Sequence, residues 1–287
     1  MTLSSQPRAL IVPSDDEEPE GFTRLTEKIM RETTFRCASY KDKCLRRRIA
    51  VRMRARNVQS YDEYARLLDE DPPEYERLLD VLTINVTKFF RNWPTFASLA
   101  NTVIPSLWAK DGPIRVWSAG ASSGEEAYSL AALFAQYATS IGEESRLGRV
   151  QIIGSDIDRA SLAAADRALY ASTAFVETPD EVADRFFPKE GEFRGVRPAL
   201  RDMVRFEKRD LLHEPPPTGG PFDLIACRNV IIYFDRPAQE ELFAKFHGAL
   251  RAGGFLVLGR VETLLGRSRL LFIPVDLRER IFRRLDG

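Results

Sequence analysis

Two acidic residues follow a short apolar run at 114–118 after a turn built from small side chains. The turn is Ala119-Gly120-Ala121-Ser122-Ser123-Gly124, and Glu125 and Glu126 come directly after it. Glycine and alanine allow a ligand to approach the backbone closely, and two carboxylates attract a cation such as a sulfonium that also carries an ammonium group. The turn lacks the G-x-G-x-x-G spacing of a dinucleotide site. The alternative is that both acids only complement the N-terminus of a helix.

Polar residues also follow the next two apolar runs of the chain. Asp156 and Asp158 come after the run at 150–155. Asp210 and Leu211 come after the third run, at 204–208. Ligands of open α/β sheets bind beyond the carboxyl ends of the strands, where an acid can accept hydrogen bonds from ribose hydroxyls. Asp210 would place a polar group near an adenine edge. The alternatives are a helix cap for Asp158 and an ordinary turn aspartate for Asp210.

The fourth apolar run, 222–227, continues directly into Arg228 and Asn229, and Tyr233 follows Asn229 by four residues. An arginine and an asparagine at the end of a buried strand are unusual. Many nucleic-acid amino-methyltransferases carry Asn-Pro-Pro-Tyr at this point of the fold, and the Val-Ile-Ile found here weakens that alternative. Tyr233 could instead be a core aromatic residue whose hydroxyl reaches the surface.

Polar residues alternate with aromatic ones in a segment ahead of the first run. The segment is Thr83-Ile-Asn-Val-Thr-Lys-Phe-Phe-Arg91. An ordinary linker would pack its two phenylalanines on a core, and we assign Phe89 and Phe90 to packing. That interpretation does not explain Asn85, Thr87 and Arg91, which are therefore candidate site residues.

The order of the elements predicts an α/β fold. Strand-like runs alternate with helical patterns and lie at 114–118, 150–155, 204–208, 222–227 and 255–258. Such alternation predicts a mostly parallel, Rossmann-like sheet with helices on both faces. Two apolar runs within 270–284, on either side of Pro274, would suit a closing hairpin. Residues 171–203 interrupt the alternation as either an elaborated crossover or a small inserted subdomain.

A different pattern precedes the α/β region. Apolar residues recur at helix spacing at Phe22, Leu25 and Ile29, and Ser60 opens a capping-box sequence. We predict an acidic disordered tail at 1–20, a helical domain at 21–83, a linker with a helix at 84–112 and the α/β domain at 113–287.

Composition limits the classes of function. The chain has 287 residues with 42 basic and 42 acidic side chains, so overall charge offers no case for nucleic-acid binding. Three cysteines and two histidines provide neither a disulfide framework nor a zinc site of known spacing. The N-terminus carries no apolar signal core, and no stretch approaches a membrane span. We therefore expect a cytoplasmic protein without a metal.

One predicted helix is strongly basic. Residues 41–56 contain eight lysines and arginines and a single acid, Asp42. At 100° per residue, Arg48, Arg52 and Arg56 share one flank. The helix either presents an ordinary solvated face or meets an acidic partner.

Four segments together resemble the CheR-type methyltransferases, which methylate glutamates of chemotaxis receptors. The segments are 82–91, 117–129, 155–158 and 227–235, and they occur in the family's order. The resemblance covers roughly residues 22–286. It implies S-adenosylmethionine (SAM) as cofactor, S-adenosylhomocysteine as product, and a seven-stranded sheet with a C-terminal antiparallel hairpin.

The resemblance also implies roles for individual residues. Arg91 and Tyr233 match the pair beside the transferred methyl group and are the candidate catalytic residues. With Gly120 added from the small-residue turn, the candidate cofactor-binding residues are Asn85, Thr87, Arg91, Gly120, Glu126, Asp156, Asp210, Leu211, Arg228 and Asn229. The helical domain of such proteins faces the cytoplasmic helical bundle of a methyl-accepting receptor. The candidate receptor contacts are therefore Arg46, Arg47, Arg48, Arg52, Arg54 and Arg56. We expect no nucleic-acid partner and no insertion of the protein into a membrane.

Two departures from the family are visible. Gly259-Arg260-Val261-Glu262 stands where members commonly carry Gly-His-Ser-Glu, which puts the pocket detail and the substrate in question. Some members bind a receptor's C-terminal pentapeptide through a glycine-rich stretch in an inserted three-stranded subdomain. The corresponding stretch between Phe187 and Val204 is several residues short and keeps only Gly191 and Gly195, so we predict that this docking mode is absent.

The chemistry that this resemblance implies needs no general base. A glutamate has a pKa of about 4.3 and is already ionised near neutral pH. Positioning supplies the acceleration, with Arg91 orienting the acceptor or the cofactor and Tyr233 fixing the geometry. Three alternatives stay open: a small-molecule or nucleic-acid acceptor, a non-chemotactic signalling protein as acceptor, and a non-catalytic SAM-binding module.

Overall fold

The structure, a computed structural model, describes residues 19–33, 35–83 and 86–285. Contacts divide these residues into two compact units. The first unit contains the described residues up to Thr83 together with Tyr233–Asp235, and the second contains 86–232 and 236–285. The predicted acidic tail lies outside the described residues except for its last two positions, which begin the first helix. No helix in the described ranges combines the length and the apolar character needed to cross a membrane.

The first unit is helical. Its helices are α1 (Pro19–Glu32), α2 (Asp42–Ala55), α3 (Tyr61–Glu70) and α4 (Pro73–Leu82), with a 3-10 turn at Cys37–Ser39. The Glu63 backbone N–H donates to the Ser60 hydroxyl at 3.2 Å, so Ser60 caps α3 as the sequence predicts. Pro73 occupies the first turn of α4. Backbone N–H groups there have no acceptor within the helix, so the missing N–H of proline costs no hydrogen bond.

Apolar stripes from these helices form the core of the first unit. Leu25 and Ile29 of α1 and Ile49 and Met53 of α2 are completely buried. Their spacing of three or four residues places them on one face of each helix. Burial of such side chains stabilises a fold by about 1.5–3 kcal/mol each.

A buried carboxylate links three of the helices. Glu74 of α4 has no exposed surface and accepts two hydrogen bonds of 2.8 Å from the Arg52 guanidinium. It also accepts from Arg56 Nη1 and from the Tyr64 hydroxyl, both at 2.9 Å. These donors hold the pKa of Glu74 at about 2, against the opposing effect of burial. Glu74 is therefore an ionised anchor for one flank of α2.

The second unit alternates strands and helices. Its strands are β1 (Ile114–Ala119), β2 (Val150–Asp156), β3 (Leu169–Ala171), β4 (Lys189–Glu190), β5 (Phe193–Gly195), β6 (Val204–Lys208), β7 (Phe222–Cys227), β8 (Leu250–Leu258), β9 (Phe272–Asp276) and β10 (Ile281–Arg284). Its helices are α5 (Trp93–Ser98), α6 (Ile104–Trp108), α7 (Glu125–Ser140), α8 (Arg159–Arg167), α9 (Asp180–Phe186), α10 (Pro198–Arg201) and α11 (Arg236–Ala249). A π-helical turn, Leu99–Val103, joins α5 to α6.

Seven of these strands form one sheet in the order β6-β2-β1-β7-β8-β10-β9. The first five are parallel, and β10 runs antiparallel to both β8 and β9. The chain leaves β1 first towards β2 and later towards β7, so the strand order reverses beside β1. The carboxyl ends of β1, β2 and β7 therefore border the crevice in which α/β sheets bind ligands. The predicted fold class, with its closing hairpin and helical N-terminal region, is confirmed.

The segment that interrupts the alternation contains a sheet of its own. Strands β3, β5 and β4 pair antiparallel in that order, and β4 and β5 are joined through Gly191 and Glu192. The φ of Gly191 is +65°, a conformation that a tight turn requires and glycine adopts freely. The segment thus contains a small three-stranded sheet.

Candidate functional site

The turn after β1 is fixed to the end of β2. The backbone N–H groups of Gly120 and Ala121 both donate to the Ser155 carbonyl oxygen, at 2.8 and 2.9 Å. Gly120 has a φ of +83°, and a Cβ at this position would lie 2.5 Å from Val230 Cγ2. A side chain at Gly120 would therefore both strain the backbone and collide with the loop after β7. The turn brings the ends of β1, β2 and β7 together.

Asp156 orders the backbone at the end of β2. Its carboxylate accepts from Ser122 N–H at 2.8 Å and from Asp158 N–H at 3.0 Å. Burial raises the pKa of Asp156, while these backbone donors oppose the shift. Asp158 instead caps α8 by accepting from Ala160 N–H at 2.9 Å, as its alternative interpretation predicts.

The two acids that open α7 differ in their surroundings. Glu125 accepts a hydrogen bond from the Ser123 hydroxyl at 2.8 Å. Glu126 accepts from the Ser118 hydroxyl at 2.7 Å, and its other oxygen lies 3.6 Å from Arg228 Nη1. Burial raises the pKa of both carboxyls, and the Arg228 guanidinium opposes that shift at Glu126. Glu126 is therefore linked to the end of β7, whereas Glu125 bonds within its own turn.

Arg228 and Asn229 lie at the end of β7. Arg228 is buried, donates from Nη2 to the Arg91 carbonyl oxygen at 2.6 Å, and packs over the Phe96 ring at 5.0 Å. Burial lowers the pKa of its guanidinium, and the Glu126 carboxylate opposes that effect. Asn229 has a φ of +62°, and its Oδ1 is buried without a hydrogen-bond donor among the described residues. Such an unsatisfied acceptor is costly unless a ligand donates to it.

Glu262 was not recognised from the sequence as a functional residue. It follows β8 by four residues, is buried, and accepts hydrogen bonds from the backbone N–H groups of Gly259, Asn229, Ile231 and Ile232. Its position in the Gly259–Glu262 stretch was the only available signal. The carboxylate fixes the loop that carries Asn229.

The predicted residues after β6 adjoin the same edge of the sheet. Arg209 N–H donates to the Asp156 carbonyl oxygen at 2.8 Å, which places the start of the next loop beside the end of β2. The Asp210 carboxylate accepts from Leu212 N–H at 2.9 Å and lies 2.8 Å from His213 Nδ1. Asp210 therefore stabilises a turn, which was the alternative interpretation of this residue, and its carboxylate is partly exposed.

Residues of the predicted linker occupy several environments. Phe89 and Phe90 are buried, as expected, and the Phe89 ring stacks on Phe175 at 4.2 Å. Arg91 is half-buried and donates from Nη1 to the Val86 carbonyl oxygen at 2.8 Å. Thr87 is half-buried, and Asn85 lies outside the described residues. Among the described residues of this segment, Arg91 is tied to Arg228 through its carbonyl oxygen.

Tyr233 belongs to the helical unit by its contacts. It is half-buried, and the Arg48 guanidinium lies over its ring at 4.4 Å from the centroid. Its carbonyl oxygen accepts from Lys41 N–H at 3.0 Å. The Tyr233 ring therefore packs against Arg48, and the catalytic role proposed for Tyr233 stays a prediction.

The six arginines predicted to meet a receptor do not share one environment. Arg48 is buried and donates to the Leu82 carbonyl oxygen, while Arg52 and Arg56 bind Glu74. The remaining three are Arg46, whose guanidinium lies 3.9 Å from the centroid of the Phe22 ring, and the exposed Arg47 and Arg54. The flank predicted from helix spacing thus turns inward.

Three carboxylates lie at the edge formed by β1, β2 and β7. Glu262 accepts from Asn229 N–H, and Glu126 lies 3.6 Å from Arg228 Nη1. Asp156 accepts from Ser122 N–H in the turn after β1. Arg228 is the guanidinium that contacts Glu126. A ligand with two cationic groups would stabilise these carboxylates, and the buried Oδ1 of Asn229 can accept from an ammonium group. These acceptor groups therefore fit the sulfonium and the ammonium of SAM.

Comparison with known proteins identifies the family. Residues 85–281 match the SAM-binding domain of CheR methyltransferases, and residues 20–83 match their all-alpha domain. A chemotaxis protein methyltransferase of Pseudomonas aeruginosa is 34% identical over 88% of this chain and 89% of its own length. One from Listeria monocytogenes is 32% identical over 89% of this chain and 93% of its own.

A longer relative occurs in Rhodobacter capsulatus. It is an uncharacterised 104.1 kDa protein that is 34% identical over 97% of this chain, and this chain spans 29% of its length. The chain belongs to the CheR methyltransferase family. It is a SAM-dependent methyltransferase with a Rossmann-like catalytic domain and an all-helical N-terminal domain.

Proposed function

We propose that the protein transfers the methyl group of SAM to glutamate side chains of a methyl-accepting receptor, which yields glutamate methyl esters. The observation that carries the proposal is the group of three carboxylates at the ends of β1, β2 and β7, namely Glu126, Asp156 and Glu262, since it favours a cationic methyl donor. The acceptor class is supported by relatives that are named chemotaxis protein methyltransferases. These relatives match this chain over most of its length.

The cofactor would be held at the edge formed by β1, β2 and β7. Gly120 lets the loop after β7 lie close against the turn after β1, Glu126 and Asp156 supply negative charge, and Asn229 offers its unsatisfied Oδ1. We assign the remaining cofactor contacts on the resemblance to the family, and they are Asn85, Thr87, Arg91, Asp210, Leu211 and Arg228.

Bound SAM supplies an electrophilic methyl group on a positively charged sulfur. The protein then has to orient a carboxylate oxygen of the acceptor, which is already ionised near neutral pH and needs no general base. Arg91 would orient the acceptor carboxylate through charged hydrogen bonds, and Tyr233 would fix the geometry through its hydroxyl. Neither side chain forms a covalent intermediate.

The receptor would meet the exposed positive face of α2. Because Arg48, Arg52 and Arg56 are engaged within the helical unit, we narrow the proposed contacts to Arg47 and Arg54. These two side chains are exposed, and neither forms an ion pair within the described part of the chain. Their charge suits the acidic surface of a receptor's helical bundle.

Docking on a receptor's C-terminal pentapeptide is not part of the proposed function. The connection between β4 and β5 consists of Gly191 and Glu192 alone, which leaves no glycine-rich loop for a peptide to occupy. A free pentapeptide of that type should leave methylation of receptor-bearing membranes unchanged. Strong inhibition by the peptide at micromolar concentration would contradict the proposal.

A methyl-transfer assay tests the acceptor. Receptor-bearing membranes from the same organism, supplied with SAM labelled on its methyl group, should gain label that alkali releases and that peptide mapping assigns to glutamates. Label on a small molecule or on nucleic acid, or binding of SAM without transfer to any receptor, would overturn the proposal. For variants of Arg47 and Arg54 in this assay, the matched control is Arg66→Ala, which changes an exposed arginine of α3.

A further inference from the structure

A single buried carboxylate collects four backbone donors behind the proposed cofactor site. Glu262 Oε2 accepts from Gly259 N–H at 2.6 Å and from Asn229 N–H at 2.9 Å. Its Oε1 accepts from Ile231 N–H at 2.8 Å and from Ile232 N–H at 3.3 Å. The side chain belongs to the segment after β8, whereas three of its donors belong to the loop after β7. Glu262 therefore joins two neighbouring strand ends.

The backbone of Asn229 depends on this arrangement. Its φ of +62° lies in the left-handed region, which is uncommon for residues other than glycine although asparagine adopts it more readily than most, and Glu262 holds its N–H in that conformation. The approach of the two segments is also tight, since a Cβ on Gly259 would lie 2.7 Å from Glu262 Oε2 and 2.8 Å from Asn229 N. The side chain of Asn229 is thereby directed so that its Oδ1 is buried without a donor.

We infer that Glu262 is a positioning residue for methyl transfer, because its carboxylate fixes Asn229 in the conformation that receives the methyl donor. The inference rests on the proposed function in so far as Asn229 is a proposed cofactor ligand. Only a carboxylate satisfies the arrangement, since each of its two oxygens accepts from two N–H groups. A glutamine of the same shape would turn an amide NH₂ towards two of those donors and would repel them.

Glu262→Gln tests the inference when cofactor affinity is measured by calorimetry with S-adenosylhomocysteine. The variant should bind about tenfold more weakly or worse, which corresponds to the loss of one charged hydrogen bond. Glu279→Gln is a matched control, because Glu279 is also buried and accepts from the Thr95 hydroxyl at 2.8 Å. The control should bind within about twofold of wild type, because neither Glu279 nor Thr95 is among the proposed cofactor contacts.

A double-mutant cycle separates positioning from general stability. In an Asn229→Ala background, Glu262→Gln should weaken binding by less than about twofold, because coupled residues are not additive. Wild-type affinity in Glu262→Gln would overturn the inference. So would equal losses in both glutamine variants, or full additivity with Asn229→Ala. Wild-type protein that does not bind S-adenosylhomocysteine would instead refute the proposed function.

Discussion

Replacing Glu74 by glutamine should destabilise the helical unit by about 3 kcal/mol at neutral pH. The substitution keeps the volume of the side chain and removes the charge that Arg52, Arg56 and Tyr64 surround. A pKa that falls from its ordinary 4.5 to about 2 corresponds to about 3 kcal/mol of stability above pH 4.5. Loss of one partner from a fully buried pair would cost 3–5 kcal/mol, and the partial exposure of both arginines favours the lower value.

The pH dependence of this effect has a definite sign. The folded-state pKa of Glu74 is depressed, so its contribution is complete above pH 4.5 and is lost as the pH falls towards 2. Urea unfolding of both proteins, followed by circular dichroism, should give a difference in free energy that shrinks between pH 6 and pH 3.

A surface pair provides the control for Glu74. Asp62→Asn removes a partner of Arg24, and because the Asp62 side chain is 52% exposed, solvent screening should leave the stability almost unchanged. A Glu74→Gln effect no larger than this control, or one that does not change with pH, would refute the reasoning. The outcome bears on function because Glu74 turns Arg52 and Arg56 away from the exposed face of α2.

Three further predictions concern the site and the receptor-facing helix. Reversing the charge at Arg47 and Arg54 should raise the KM for receptor at least about tenfold and leave cofactor affinity unchanged, whereas Arg66→Glu should do neither. Arg91→Ala should lower kcat by about a hundredfold and weaken cofactor binding by less than about fivefold, and near-normal turnover would remove Arg91 from the catalytic role. Because burial raises the pKa of Glu126, affinity for SAM should decline as the pH is lowered from 7 to 5 and binding should release protons. Calorimetry at several pH values checks this, and Glu126→Gln should flatten the dependence.

Local sequence patterns were sufficient to predict the architecture. Ser60 followed by Glu63 marks a helix start through contacts only three residues apart, and the apolar spacing of α2 identifies its buried face. The small residues after β1 likewise mark a turn, because Gly120 has a φ of +83°, which glycine adopts freely. Signals of this kind depend on neighbours along the chain, so one sequence reveals them.

Contacts between distant segments were not predictable in the same way. Helix spacing grouped Arg48, Arg52 and Arg56 correctly on one flank, yet nothing in α2 indicates that Glu74, at least 18 residues away, meets two of them. Glu262 is similar, since its donors in the loop after β7 lie about 30 residues earlier. Such pairings appear only when the fold brings the helices, or the ends of the strands, side by side.

Calorimetric titration of the wild-type protein with SAM and with S-adenosylhomocysteine tests the central claim most directly. The carboxylates around the end of β7 and the unsatisfied Oδ1 of Asn229 predict saturable binding of both compounds at one site per chain, with SAM affinity reduced in Glu126→Gln. Absence of heat with either compound at concentrations up to about 1 mM, a limit of about 4 kcal/mol in affinity, would contradict the account.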